Sequence, residues 1–145
     1  MSKVVPPNSF DPLTPHERSV RMSLIRSKNT KPELIVRRLA WSMGYRYRLH
    51  LNSLPGRPDL AFLGIRKAIF VHGCFWHQHK RCKHYVMPKS RLSFWLPKLE
   101  SNVSRDKKHL RILRSQGWEV LVVWECQLKD IRVVSRRIRK FLEGP

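Results

Sequence analysis

The stretch Lys67-Ala68-Ile69-Phe70-Val71 decides the fold, because it has the pattern of a strand that is apolar on both faces after its opening lysine. A strand of this kind needs cover on both sides, which predicts a central sheet between helices. Residues 59–62 predict a neighbouring strand, which follows the turn Pro55-Gly56-Arg57-Pro58 and ends before Gly64. The apolar run at residues 118–124 predicts a third buried strand.

Helical segments flank these strands along the chain. Thr30-Lys31-Pro32-Glu33 has the features of a helix start, since Thr can cap, Pro suits the first turn and Glu occupies the capping-box position. This helix is expected to end at Gly44, and residues 45–51 alternate as in a strand. Residues 91–115 and 128–142 predict two further helices. The order of elements predicts a three-layer α/β fold with a central mixed β-sheet.

The length of the chain fits one domain. It has 145 residues, of which 41% are hydrophobic, enough for one packed core. Residues 1–17 are polar, rich in proline and without periodicity, so we expect a flexible N-terminal arm ahead of a single domain at residues 18–145. The longest apolar stretches are shorter than a membrane span, and the first residues lack the apolar core of a signal peptide. We therefore expect a cytoplasmic protein without membrane contact.

The net charge indicates the class of partner. Thirty Lys and Arg residues face ten Asp and Glu residues, which gives a formal charge of +20. A domain this basic usually works against a polyanion, because each neutralised phosphate releases condensed counterions. A packing protein of the ribosomal or chromatin type would explain the charge equally well, so the charge predicts nucleic-acid binding and no particular chemistry.

Cysteine and histidine residues suggest a metal site. Cys74, His79 and Cys82 follow one another with the spacing Cys-x4-His-x2-Cys, and Cys126 follows the third strand. Three thiolates and one imidazole make a closed tetrahedral set for Zn²⁺, and a closed set is structural because it leaves no position for water. The alternative is that Cys74 and Cys126 are ordinary buried thiols and the histidines are surface groups.

Asp59 is the candidate for catalysis. It opens an apolar strand directly after Pro58, as in nucleases of the Pro-Asp…(Asp/Glu)-x-Lys type, which use this Asp to hold Mg²⁺ against the scissile phosphate. The second part of that pattern is absent, since Val71-His72-Gly73 stands in its place. The alternative is an Asp that ends a proline turn.

Two histidines and a glutamate are candidates for proton transfer. If zinc takes His79, then His72 and His77 remain available, and imidazoles titrate in the right range. Glu33 could support one of them. The alternatives are surface or phosphate-facing histidines, and a Glu33 that serves only the helix capping box.

Three aromatic residues lie in or beside the basic loop. Phe75 and Trp76 have polar neighbours and are expected to be exposed, whereas Trp95 fits a helix core equally well. Aromatic rings among Lys and Arg residues can wedge between base pairs or stack on bases.

The motifs resemble the very-short-patch-repair (Vsr) mismatch endonucleases. The segment around Met22, the helix start at residues 30–33 and the pair Phe94-Trp95 also fit. The resemblance spans nearly the whole chain from about residue 18. It rests mainly on three runs, Leu54-Pro55-Gly56-Arg57-Pro58-Asp59, Phe70-Val71-His72-Gly73-Cys74-Phe75-Trp76-His77 and Val123-Trp124-Glu125-Cys126.

The resemblance implies a restriction-endonuclease-like fold and a nick 5′ to the T of a T:G mismatch, the product of 5-methylcytosine deamination. Asp59 and the backbone carbonyl of Val71 would hold Mg²⁺. His72 would act near the metal and His77 as general base or acid, with Glu33 beside the histidines. Val71 stands where some members have Thr, so only its carbonyl can serve.

The resemblance also implies roles for the remaining candidates. Cys74, His79, Cys82 and Cys126 match structural zinc ligands. Phe75, Trp76 and Trp95 match aromatics that intercalate beside the mismatch, and the Met22 segment matches an arm that grips the duplex. The implied partners are double-stranded DNA with a T:G mismatch and repair proteins, with the enzyme a monomer. Two alternatives remain, namely a related nuclease with broader mismatch or structure specificity and a non-catalytic zinc-containing DNA-binding module.

Overall fold

The computed structural model describes residues 30–74, 79, 82 and 91–144. Three helices and four strands make up this part of the chain. Two short 3-10 turns, Leu63–Ile65 and Glu125–Lys129, follow the second and fourth strands. In chain order the elements are α1 (Lys31–Ser42), β1 (Arg48–Leu49), β2 (Leu60–Phe62), β3 (Lys67–His72), α2 (Leu92–Ser115), β4 (Glu119–Trp124) and α3 (Ile131–Glu143).

The predicted order of elements is confirmed, with two differences in length. The strand expected at residues 45–51 is reduced to Arg48–Leu49. The last helix begins later than residue 128, because a 3-10 turn comes first and Asp130 then caps the helix, accepting a hydrogen bond from the Val133 amide at 3.3 Å.

The four strands form one mixed sheet in the order β1-β2-β3-β4. The first two pairings are antiparallel, with Leu49 opposite Leu60 and Leu60 opposite Ile69. Strands β3 and β4 are parallel, and helix α2 lies in the crossover between them. The predicted mixed sheet is therefore confirmed.

Helices cover both faces of the sheet, as the apolar strand β3 requires. Helices α1 and α3 pack on one face, where Val36 and Ile138 meet Ile69. Helix α2 packs on the other face, where Leu113 meets Ala68. The alternation of buried side chains along the strands thus builds two apolar layers around one sheet, and the predicted three-layer α/β fold is confirmed.

Candidate site residues lie together at one edge of the sheet. Because β3 and β4 run parallel with His72 opposite Trp124, both strands end at the same edge. Strand β2 runs the opposite way, so Asp59, which precedes it, lies at this edge too. Residues that follow β3 and β4 or precede β2 are therefore brought together although they are far apart in sequence.

The turn before β2 is held closely against helix α2. Gly56 has a φ of +76°, and a Cβ atom there would lie 2.9 Å from the Cβ of His109. Only glycine meets both the conformation and the space. Among the residues that the structure describes, no helix has the length and apolarity needed to cross a membrane.

Candidate active site and metal centre

Glu33, His50 and Asp59 form the first group of candidate functional side chains. Glu33 lies in the first turn of α1, His50 directly follows β1, and Asp59 directly precedes β2. One ligand atom of each residue lies within 4.8 Å of the others. The group can hold a cation, because two carboxylates and one imidazole converge at the sheet edge where β3 and β4 end.

Glu33 is a buried carboxylate that lies beside Arg37 and His50. Its side chain is only 4% exposed, and it pairs with Arg37 one turn later in α1. The Nε2 of His50 lies 2.7 Å from its Oε2. Burial of an unpaired carboxylate would be costly, so these two partners keep Glu33 in place. The structure therefore places Glu33 beside His50, a histidine that the sequence did not single out.

The Asp59 carboxylate is oriented by the backbone of β3. The Val71 amide donates a hydrogen bond to Oδ2 at 2.7 Å, and Oδ1 lies 3.7 Å from the Nε2 of His50. Burial is the main cause that raises the pKa of Asp59 to about 7, and the nearby Glu33 contributes to this rise, whereas the hydrogen bond from the Val71 amide lowers the pKa. Two carboxylates crowded together in a buried site suit a divalent cation, which would relieve their repulsion.

The backbone positions His50 through an extension of the β1–β2 ladder. Its amide donates to the Asp59 carbonyl at 3.3 Å, one residue beyond the pair Leu49–Leu60. Its φ of 46° is left-handed, a conformation that histidine adopts more readily than most residues. Sequence reasoning missed His50, because its only signal is its position opposite Asp59 in a strand pairing that the sequence does not reveal.

The other two candidates for proton transfer are His72 and His77. His72 is buried at the end of β3, where its ring makes edge contacts with Phe70 at 5.8 Å and Trp124 at 5.1 Å between centroids. His77 lies outside the described residues.

Trp95 is the aromatic candidate that lies within the described residues. Trp95 lies in the first turn of α2, is half-buried, and makes an edge contact with the exposed Phe94 at 5.1 Å between ring centroids. Phe75, Trp76 and Met22 lie outside the described residues.

A second cluster contains the four predicted zinc ligands. The sulfur or nitrogen atoms of Cys74, His79, Cys82 and Cys126 all lie within 4.8 Å of one another. The Nδ1 of His79 is 3.6 Å from the sulfur of Cys74 and 3.4 Å from that of Cys126. The parallel strands explain this convergence, since Cys74 and Cys126 each lie two residues beyond strands that end side by side.

The surroundings of this cluster orient its side chains. The His79 ring stacks on Trp124 with 4.1 Å between centroids, and Glu125 accepts a hydrogen bond from the Cys74 amide at 3.0 Å. Burial raises the pKa of Cys74 to about 12 and also raises that of Cys126. Burial lowers the pKa of His79, which favours the neutral imidazole that a metal needs. Three thiols and one neutral imidazole suit Zn²⁺, which would stabilise the thiolates against their burial.

Comparison with known families decides the identity of the chain. Residues 10–84 match the family model described as DNA mismatch endonuclease Vsr. A DNA mismatch endonuclease Vsr from Escherichia coli (strain K12) is 41% identical over 117 residues, which cover 79% of this chain and 74% of that protein. The chain belongs to the Vsr family of DNA mismatch endonucleases.

Other relatives of this Vsr-family endonuclease agree with that conclusion. The type II nicking enzyme V.XorIIP of Xanthomonas oryzae pv. oryzae is 48% identical over 133 residues, covering 92% of this chain and 97% of that protein. The catalytic domain of the homing endonuclease I-Bth0305I has a similar fold, with a TM-score of 0.54 and 25% identity over 78% of this chain and 94% of that domain. The chain is thus a DNA mismatch-nicking endonuclease with a restriction-endonuclease-like fold, and this fold suggests the use of a divalent metal.

Proposed function

We propose that this Vsr-family endonuclease nicks one strand of duplex DNA on the 5′ side of the T in a T:G mismatch, with Mg²⁺ as its cofactor. Such mismatches arise when 5-methylcytosine deaminates, and the nick would start very-short-patch repair. The observation that carries the proposal is the Asp59 carboxylate, held by the Val71 amide at the edge where β2, β3 and β4 meet. The mismatch endonuclease of E. coli among its relatives supports the substrate class.

Asp59 and the Val71 carbonyl would hold the metal. In an extended strand the N–H and C=O of one residue face the same side, so the Val71 carbonyl faces the same side as its Asp59-bound amide. If the β2–β3 register continues by two residues, Pro58 lies opposite Val71. Proline has no N–H to offer that carbonyl, which leaves it available to a cation. This is a physical reason for a proline directly before the catalytic Asp.

The metal and the protein would divide the chemistry. A bound divalent cation stabilises the charge that develops on the phosphoryl oxygens and acidifies the attacking water. Asp59 would orient the scissile phosphate relative to the histidines, and Glu33 would remain fixed by Arg37 and His50. His77 would transfer the proton as general base or acid, with His72 near the metal.

Aromatic and basic residues would recognise the distorted duplex. Phe75, Trp76 and Trp95 would wedge into the base stack at the mismatch, and the segment around Met22 would grip the duplex. The half-buried Trp95 and the exposed Phe94 at the start of α2 fit such a surface. The Lys and Arg residues that give the chain its net charge of +20 would bind the phosphate backbone.

The cysteine cluster would hold one structural Zn²⁺ through Cys74, His79, Cys82 and Cys126. The metal would tie the loop after β3 to the end of β4 and so stabilise the edge that carries Asp59. Cys74 and Cys126 are free thiols, a state that a reducing compartment preserves. We therefore place the enzyme in the cytoplasm, where it would act as a monomer and meet other repair proteins.

A nicking assay tests the proposal. A labelled duplex with one T:G mismatch is incubated with the zinc-loaded protein, with and without Mg²⁺, beside a matched duplex and duplexes with other mismatches. We expect a single nick 5′ to the T, only on the T:G duplex and only with a divalent cation. Asp59→Asn should abolish the nick while DNA binding in a filter or gel-shift assay persists.

The control variant is Asp106→Asn, which removes a carboxylate of helix α2 that is not part of the ligand group. It should nick like the unmodified protein. Equal nicking of matched and mismatched DNA would refute the specificity, and activity in Asp59→Asn would refute the metal site.

A further inference from the structure

His50 lies between the two carboxylates of the active site, and the Pro-Asp nuclease pattern gives it no role. Its Nε2 is 2.7 Å from Oε2 of Glu33 and 3.7 Å from Oδ1 of Asp59. The Val71 amide already occupies the other oxygen of Asp59, so Oδ1 is the oxygen that faces the imidazole. One nitrogen and two oxygens from three different elements therefore point to a common centre.

The separations of these atoms fit a small octahedral ion. Neighbouring ligands at about 2.1 Å from such an ion are roughly 3 Å apart. The two nitrogen–oxygen distances, 2.7 and 3.7 Å, lie on either side of that value. The two carboxylate oxygens also lie within 4.8 Å of each other, so side-chain rotations would bring the three atoms around one ion.

We propose that His50 is a nitrogen ligand when a transition ion takes the active-site metal position, and that Glu33, His50 and Asp59 therefore bind Mn²⁺ more tightly than the proposed cofactor Mg²⁺. The proposal rests on the metal site of the proposed function and extends its ligand set. Two carboxylates and one imidazole suit a first-row transition ion, whereas Mg²⁺ keeps to oxygen ligands. Ligation requires a neutral imidazole with its proton on Nδ1, so that the Nε2 lone pair bonds the metal, and any proton on Nε2 would leave to solvent.

The surroundings hold the side chains of His50 and Glu33 in place. The Nε2 of His50 lies 2.7 Å from Oε2 of Glu33, and Arg37 pairs with the same oxygen. Arg37 would stay beside Glu33 as a charge partner when a cation binds. The His50 backbone is already anchored to the Asp59 carbonyl, so the ligand is in position before the metal binds.

The test measures Mn²⁺ binding directly, in zinc-loaded protein without DNA. Titration followed by electron paramagnetic resonance gives the affinity, and pulsed measurements detect a directly bonded nitrogen. The variant is His50→Asn, since asparagine tolerates the left-handed backbone but is too short to reach the metal. His109→Asn is the matched control, because His109 lies in helix α2 outside the ligand group. Zinc content and circular dichroism check that each variant is folded.

We expect one Mn²⁺ that depends on Asp59, with a nitrogen signal in the unmodified protein and in His109→Asn. In His50→Asn the signal should vanish, and the Mn²⁺ affinity should fall about tenfold or more while Mg²⁺ affinity changes less than about threefold. A folded His50→Asn that keeps the nitrogen signal, or an unmodified protein with Asp59-dependent Mn²⁺ but no such signal, would overturn the role of His50 and leave the Asp59 site intact. Absence of any Asp59-dependent Mn²⁺ binding would instead refute the metal site itself. Should His50→Asn and also His50→Gln fail to fold, a nitrogen signal in the unmodified protein would support the role of His50, and the absence of that signal would overturn it.

Discussion

Substitution of Asp59 by Asn should stabilise the protein in the absence of Mg²⁺ and should abolish its activity. The carboxylate is mostly buried and lies close to Glu33, and these surroundings raise its pKa from 3.8 to about 7. Asn has nearly the same shape and can still accept the hydrogen bond from the Val71 amide. The substitution therefore removes an unfavourable charge and keeps the geometry.

The size of the effect follows from linkage. When the pKa of a carboxyl group is higher in the folded protein than in the unfolded chain, the folded protein becomes less stable as the pH rises from the unfolded pKa to the folded pKa. Between pH 4 and 7 the folded protein holds a proton that the unfolded chain has released, so the stability of the unmodified protein falls across this window. A shift of about 3 units corresponds to about 4 kcal/mol above pH 7, and to about a third of that at pH 5. For a chain of this length, the gain in Tm is about 5–15 °C.

The assay is thermal unfolding of the zinc-loaded protein in Mg²⁺-free buffer, without chelators, from pH 5 to pH 8. Asp59→Asn should melt higher than the unmodified protein at pH 8, and the difference should shrink at pH 5. Added Mg²⁺ should raise the Tm of the unmodified protein and leave that of Asp59→Asn unchanged. The control Asp106→Asn should show no such pH-dependent gain. An Asp59→Asn variant that is no more stable than the unmodified protein at pH 8 would refute the electrostatic reasoning.

Three further predictions concern the parts of the fold that hold the site. Cys126→Ala should abolish the bound zinc and lower the Tm by 10 °C or more, on the order of magnitude typical of structural zinc, and retained zinc by elemental analysis would contradict the ligand set. Gly56→Ala should cost about 2–4 kcal/mol in urea unfolding, because φ is +76° and the new Cβ would meet helix α2 at 2.9 Å, whereas Gly64→Ala, with nothing within 4 Å, should be nearly neutral. Lys67→Met should cost about 1–3 kcal/mol, since the buried ammonium donates to backbone carbonyls at the end of α3, one of them at 2.7 Å, and an unchanged midpoint of denaturation would show that these bonds contribute nothing.

Much of the fold was predictable because local patterns are strong. The apolar strand at residues 67–71 predicted a covered central sheet, and the helix start at residues 30–33 is confirmed by a helix that begins at Lys31. The prediction of residues 45–51 as one strand was too long. Alternation measures which side chains could face a core, whereas the length of a strand depends on its partner, and β1 pairs with only the short β2.

The sequence by itself determined which residue types are available for chemistry. It supplied an Asp after a proline, three cysteines and a histidine that can bind zinc, a large positive charge and the motifs of the Vsr family. These are local properties of composition and spacing, and no folding is needed to observe them.

Only the tertiary structure decided which of these residues meet. The parallel pairing of β3 and β4 brings Cys126 to Cys74, and the antiparallel pairing of β1 and β2 brings His50 to Asp59. Strand register is set by the packing of whole faces against helices, so a residue's partner across a sheet cannot be derived from its neighbours in the chain. His50 is the clearest example, because nothing in its local sequence distinguishes it, and only its position opposite Asp59 makes it a candidate metal ligand.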